Sequence, residues 1–395
     1  MRKLGLIVAA GLFAVGRALA AQTPDTTEIG AQAPDTAEPT AASWRLSYFP
    51  YLSGGVNDGP VISARVRYWR PAEYEARWTA DAALTAGAGF TLRGSRYLGA
   101  EFRAPQLWKD WRLYAKAGAE RLARFGYFGL GNATVEDRDL VDESDPFLYR
   151  VRRTRYAGLV EVTRRIRGPF QVALQASLEQ ARFTSLPGPS TFATDFPSGE
   201  LEQDDGGVRL ALVYDTRDNE YNTHQGLLLE GGAQVGQGGG NGYSRLYAVL
   251  RGYLMPREGT VIAARLAGSG MGGRPTLNAR YNLPTWEGLL PVLGGPYSHR
   301  SFDTGRFAGK GTVFFNLEAR HDLLSLGDLG AVTLLAFMDA GRVFEQQSFR
   351  LTTDDMKVGG GGGIGLRILR STIFTFNFAG GPDGFNYSVG SGWMF

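Results

Sequence analysis

From about residue 44 onward, apolar and polar positions alternate with a period of two in short segments separated by clusters of Gly, Pro, Asn and Asp. That is the pattern of β-strands with one greasy and one wet face. In Tyr243 to Leu254, one parity carries Tyr243, Arg245, Tyr247 and Arg251, interrupted by Val249, and the other carries Leu246, Ala248, Leu250 and Leu254. Val313, Phe315, Leu317 and Ala319 alternate with Phe314, Asn316, Glu318 and Arg320; Val332, Leu334, Ala336 and Met338 alternate with Thr333, Leu335, Phe337 and Asp339. Segments 207–217, 227–236, 361–370, 371–380 and 385–395 behave alike. Such strands suit a soluble sandwich or barrel with an apolar core, or a transmembrane barrel whose apolar face meets lipid. Parity decides: a soluble core would not hold Arg245, Arg251, Glu318, Arg320 and Asp339 on one face and leave Leu and Phe facing water. A transmembrane barrel with a polar lumen requires that arrangement, because it has no edges and satisfies its backbone between strands. The fold class predicted is therefore all-β, a transmembrane antiparallel β-barrel over 44–395. About sixteen strands are predicted, with centres near 49, 65, 80, 95, 116, 155, 175, 212, 231, 248, 265, 316, 335, 365, 376 and 390. Aromatics near segment ends, among them Trp44, Tyr48, Trp108, Trp111, Trp393 and Phe395, are expected in interfacial girdles.

Composition narrows the picture. Glycine makes up 55 of 395 residues, about twice the ~7% of an average protein. Beyond the first twenty residues no run approaches the roughly 18–20 apolar residues of a spanning helix. With 42 basic and 39 acidic residues the formal charge is +3, too balanced to argue for a nucleic-acid partner. There is no cysteine, which excludes disulfides, thiolate metal sites, a cysteine nucleophile and a lipoprotein anchor. Residues 1–20 carry Arg2 and Lys3, an apolar run from Leu4 to Val15, and Ala18-Leu19-Ala20 before Ala21. They read as a cleavable secretory signal peptide. Residues 21–43, where the unit Ala-Gln-x-Pro-Asp-Thr-x-Glu occurs at 21–28 and 31–38, lack the apolar surface to order themselves and read as a disordered periplasmic tail. The longest unpatterned stretch between late strands, 274–310, becomes an extracellular loop if both barrel ends start in the periplasm.

Several late segments resemble the BamA/TamA superfamily of outer-membrane barrels, the bacterial surface-antigen family. The resemblance covers most of 44–395. It rests on Asp215-Thr-Arg-Asp-Asn219 followed by Gly226, on Gly294-Gly295 with the spacer leading to Arg300-Ser301-Phe302, and on the strand motifs Asn316-Leu-Glu-Ala-Arg320 and Phe337-Met-Asp-Ala-Gly341. Departures are Ser301 for the usual glycine, His299 for a branched aliphatic and Thr223 for a common proline. Only about 23 residues separate the leader from the first strand, so the resemblance is to a short branch lacking POTRA domains. It implies insertion or translocation of proteins or lipids through a weakly paired seam between first and last strands. The second class of function is a passive channel or structural barrel, partnered with separate periplasmic proteins. Outer-membrane location implies contact with lipid, with the barrel assembly machinery during biogenesis, and with periplasmic or lipoprotein partners.

The resemblance also makes Arg300 and Phe302 a latch for the long loop, with Glu318 and Asp339 as lumen partners. Chemistry agrees, since a guanidinium inside a lumen has to be paired and carboxylates accept its fork bidentately. Spacing alone leaves another arrangement open, with Arg300 solvated and the carboxylates held by Arg320 and Arg342. Ser388, Gly390, Trp393 and Phe395 resemble a C-terminal assembly signal. Gly359–Gly363 lacks the Lys-Ser/Thr and helix of a phosphate cradle and reads as a place of close packing or bending in a strand. The only histidines, His224, His299 and His321, form no catalytic or metal-ligating spacing, so no enzyme activity, cofactor or metal is expected.

Overall fold

The computed structural model describes residues 43–55, 59–141, 145–345, 352–370 and 372–395. The leader at 1–20 and the tail at 21–43 lie outside them, apart from residue 43. The strands are β1 Arg45–Gly55, β2 Gly59–Pro71, β3 Ala80–Thr91, β4 Arg96–Trp108, β5 Trp111–Gly126 and β6 Arg150–Arg167. They continue as β7 Phe170–Ser185, β8 Glu200–Asp215, β9 Gly226–Gly238, β10 Asn241–Arg257 and β11 Thr260–Gly273. After the hairpin β12 Asn282–Thr285 and β13 Gly288–Pro291 come β14 Gly311–Ser325, β15 Gly330–Phe344, β16 Lys357–Ile368, β17 Thr372–Gly381 and β18 Gly384–Ser391. All but β12 and β13 form one closed antiparallel barrel of sixteen strands, in which β11 pairs with β14 across the long connection. No helix among the described residues is long and apolar enough to cross a membrane.

The alternation in the sequence is the inside–outside alternation of this barrel. Leu246 is 69% exposed on the outer face of β10, whereas Arg245 beside it is 3% exposed. Val249, the apolar exception, lies on the buried side with Tyr247 and Tyr253. On β14 and β15 the buried side holds Asn316, Glu318, Arg320, Thr333 and Asp339, while Leu317, Leu334 and Met338 face outward. Because the backbone bonds between strands, an apolar outer belt costs nothing in unsatisfied polar groups.

Two strand positions differ from the expectation. Residue 95 falls in the turn before β4, and residue 80 is the first residue of β3 rather than its centre. The β3 sequence, ADAALTAGAGFT, is mostly small residues, so it offers little polar–apolar contrast from which to fix a centre.

Short connections follow β4, β6 and β10 at the end where β1 starts and β18 stops, here called the lower end; 127–149, 186–199 and 274–310 lie at the upper end. The ring closes weakly. β1 pairs with β2 without a break from Arg45 to Gly55. With β18 it is paired, among the described residues, only at Gly54 with Val389 and Gly55 with Ser388.

Trp393 and Phe395 do not join an outer girdle. Gly392 has φ +83°, a conformation that favours glycine, and its N–H donates to Ile373 O at 2.8 Å. The chain then turns inward, so that Trp393 Nε1 donates to Asn222 Oδ1 at 2.8 Å and Phe395 O accepts from Arg320 at 3.0 Å.

Candidate functional site

The segment 274–310 between β11 and β14 supplies the core of the candidate site. Its apolar residues Leu283, Trp286, Val292, Leu293, Phe302 and Phe307 are buried in one cluster with Phe314, Val343, Leu228 and Val249 from the strands. Gly294 has φ +117°, and a Cβ there would run into Asp303 O, so glycine is required where the chain doubles back. Gly294 N–H donates to Ser298 Oγ, whose hydroxyl returns a bond to Gly294 O, both at 3.0 Å. Gly295 N–H donates to Phe302 O at 2.9 Å. These bonds hold 294–302 as a compact turn with Arg300 projecting from it.

Arg300 meets both carboxylates. Its Nε donates to Asp339 Oδ2 at 2.9 Å and Nη2 to Asp339 Oδ1 at 2.8 Å, and its backbone N–H also reaches Oδ2 at 2.9 Å. Nη1 donates to Glu318. Arg320 shares that carboxylate, with Nε 2.7 Å from Glu318 Oε1, so Arg300 and Arg320 both contribute to its neutralisation. Arg342 instead bonds Asp354 O. Asn316, facing Asp339 across the ladder, donates to Asp339 Oδ1 and Ser298 O at 2.8 and 2.7 Å. The Arg300 guanidinium stacks 3.4 Å from the centre of the Phe337 ring. Burial disfavours its charge, but Asp339 and Glu318 outweigh that and hold Arg300 above its ordinary pKa. Burial lowers the pKa of neighbouring His299. Phe302 packs edge-on to Phe307 at 5.2 Å, and the carbonyls of Arg300 and Phe302 accept from Asn386 on β18 at 3.0 and 3.1 Å. Ser301 donates to Gly380 O at 2.9 Å; a Cβ at Gly359 or Gly381 would collide with it. This close approach accounts for glycine at 359.

A second anchor had no signal in the charge parity. At the tip of the β12–β13 hairpin, Glu287 pairs with Arg103 on β4 at 2.7 Å and with Arg112 on β5 at 3.1 Å. Trp286 N–H donates to Glu230 on β9 at 2.6 Å, Trp286 Nε1 to Thr163 on β6 at 3.1 Å, and Glu287 N–H to Glu161 on β6 at 3.0 Å. Arg112 lies 4.7 Å over the Trp286 ring. The same two arginines hold Glu220, in the lower-end connection between β8 and β9, at 2.7 Å. Burial raises the Glu220 pKa, but Arg112 and Arg103 prevail and hold it far below the usual carboxylate range. A trace of this anchor lay in Trp-Glu-Gly, a turn-forming triplet between Leu283 and Leu289-Leu290.

The Asp215-Thr-Arg-Asp-Asn219 block builds that lower-end connection. Asp215 takes Arg217 and Arg77, both at 2.9 Å. Asp218 accepts from the N–H groups of His224 and Gln225, and Asn219 from those of Tyr221 and Asn222. Burial pushes the Asp218 pKa up, and the His224 ring with these N–H groups brings it below the ordinary value. Asn222 then receives Trp393. Ser388 is buried beside Asn377, and a Cβ at Gly390 would meet Thr375 and the Tyr297 hydroxyl at ordinary contact distance.

Residues 81–380 match the family model of the Omp85 superfamily domain. The chain belongs to the Omp85 superfamily. It is an Omp85-type outer-membrane barrel, the family to which its late motifs point. Among solved structures it is similar to BamA from Haemophilus ducreyi lacking POTRA domains 1–3, with TM-score 0.55 and 12% identity over 89% of this chain and 70% of that one. It is also similar to CdiB from Escherichia coli, with TM-score 0.54 and 13% identity over 90% of this chain and 63% of that one. At these identities the likeness is one of fold. No curated protein sequence matches the chain significantly.

Proposed function

We propose that this Omp85 barrel inserts or translocates proteins or lipids at the outer membrane, with 274–310 as a lumen-inserted loop and the β1–β18 seam as the lateral opening. The observation that carries this reading is the seam. From Arg45 to Ser53, β1 is paired with β2 on one side and, among the described residues, with nothing in β18 on the other. An unpaired strand edge is a template for an incoming strand. Phe49 reaches across the gap to stack on Phe374 of β17 at 5.8 Å, a contact that can part without breaking a backbone ladder. Arg300 is the latch that fixes the loop to β14 and β15, and Phe302 shields it from water. The terminal residues Ser388, Gly390, Trp393 and Phe395 serve the barrel assembly machinery as a signal before the tail folds inward. Periplasmic or lipoprotein partners would deliver clients to the lower end, and the exported chain would carry a cleavable leader.

A passive channel is the competing reading, and the paired charges around Trp286, Glu287 and Arg300 weigh against it. The test is reconstitution of the purified protein in liposomes with an unfolded outer-membrane barrel as client. Client insertion faster than into protein-free liposomes is expected. Ion conductance without faster insertion would return the protein to the class of channels.

A further inference from the structure

A cavity of about 870 Å³ lies between the β12–β13 hairpin and the buried faces of β2–β7. Most cations lining it are matched to carboxylates. Arg103 has Glu220 and Glu287, Arg153 has Glu120 at 2.7 Å, Arg155 has Glu179 at 2.6 Å, and Lys116 is 3.9 Å from Glu101. Arg65 and Arg67 on β2 and Arg245 on β10 have no carboxylate within ion-pair distance among the described residues; Arg245 is held instead by Gln234 Oε1 at 3.4 Å and Ala279 O at 2.6 Å, which leaves Arg65 and Arg67. The Arg65 guanidinium lies 5.7 Å from the centre of the Tyr51 ring. That of Arg67 lies 4.8 Å over the Trp69 ring and makes one long bond, 3.4 Å, to Thr79 Oγ1. Arg67 feels Arg65 and Arg103 as like charges, and Glu101 as the opposing one. Glu101 is already engaged by Lys116 and by the Tyr114 hydroxyl at 3.2 Å. Hydroxyls complete this corner of the cavity: Tyr51 and Tyr97 are bonded at 2.9 Å, and Tyr97 donates to Ser63 at 2.9 Å.

We infer that Arg65 and Arg67 form a binding site for a phosphate-type oxyanion inside the barrel, one strand from the seam. A carboxylate between two guanidiniums, such as Glu318 or Glu220, supplies two acceptor oxygens and one charge. Two neighbouring unpaired forks suit a group with three acceptor oxygens and a charge near −2. Aromatic faces behind both guanidiniums hold them extended without neutralising them. A free phosphorylated solute and a lipid headgroup admitted through the seam share this chemistry. The inference stands apart from insertion or translocation, since it concerns occupancy and not transport.

The test is labelling of arginines by phenylglyoxal in the full chain, read residue by residue by mass spectrometry at matched ionic strength. In detergent, inorganic phosphate at about ten times its Kd should slow modification of Arg65 and Arg67 about tenfold, with exposed Arg257 unaffected. Protection that instead needs phosphatidic acid vesicles, whose headgroup is a phosphomonoester, without added phosphate, would identify the lipid headgroup as the source. R67Q should abolish the protection of Arg65, because both forks are required. Labelling of Arg65 and Arg67 unchanged by phosphate and by the vesicles, or Arg65 still protected in R67Q, would overturn the site.

Discussion

Arg300 donates four bonds, three to Asp339 and one to Glu318, and all three side chains are buried. Removing one member of a buried charged group leaves the others uncompensated, at about 3–5 kcal/mol. Arg300→Ala is therefore expected to make 274–310 protease-sensitive and to lower the heat-modification temperature on gels; Arg300→Lys should recover part of the loss, since the bidentate fork is gone. An Arg300→Ala protein as protease-resistant as the parent would remove the latch. Glu220 gives a pH prediction. Its folded pKa is depressed, so its stabilisation is present above the unfolded value, about 4.3, and is lost as pH falls through the lower folded value. Melting should therefore lose stability on acidification below the ordinary carboxylate range, and Glu220→Gln should flatten that part of the profile. The two sites were not equally legible. Glu318 and Asp339 announce themselves because a charge in an alternating strand marks the wet face. The Glu287–Arg103 pair joins positions 184 apart, and nothing in local periodicity connects a hairpin tip to the opposite wall.

At the scale of elements, the β12–β13 hairpin is bonded to β4, β5, β6 and β9, and the C-terminal tail to Arg320 and to Asn222 of the lower-end connection. Glu287→Gln weakens the pairs to Arg103 and Arg112, and Trp286→Ala removes the ring beneath Arg112. Each variant should raise single-channel conductance in planar bilayers while leaving the barrel folded; conductance equal to the parent's would show that the hairpin does not obstruct the lumen. Phe395→Ala removes a ring 4.8 Å from the Arg265 guanidinium and the last residue of the proposed signal. Outer-membrane levels should fall while export across the inner membrane persists, as followed by fractionation; unchanged levels would mean the aromatic end is incidental. Most strands were legible because side chains alternate between lipid and lumen. β3 was displaced because alanine and glycine suit both faces. The inward turn of Trp393 and Phe395 was hidden because aromatic residues suit a girdle as well as a lumen, and only the backbone at Gly392 separates the two.

For the whole molecule, an otherwise continuous sixteen-strand ladder is thinnest at one place, the proposed lateral opening between β1 and β18. Neighbouring strands elsewhere are paired over most of their length, whereas β1 and β18 share two residue pairs among the described residues. The absence of cysteine makes this directly testable, because Gly55→Cys and Ser388→Cys, which face each other across the seam, would form the only disulfide. Insertion of an unfolded barrel client into liposomes should be measured with the oxidised double variant, and again after reduction. A seam that must open predicts loss of the accelerated insertion when oxidised and recovery on reduction. Insertion equally fast with the seam locked would contradict lateral opening.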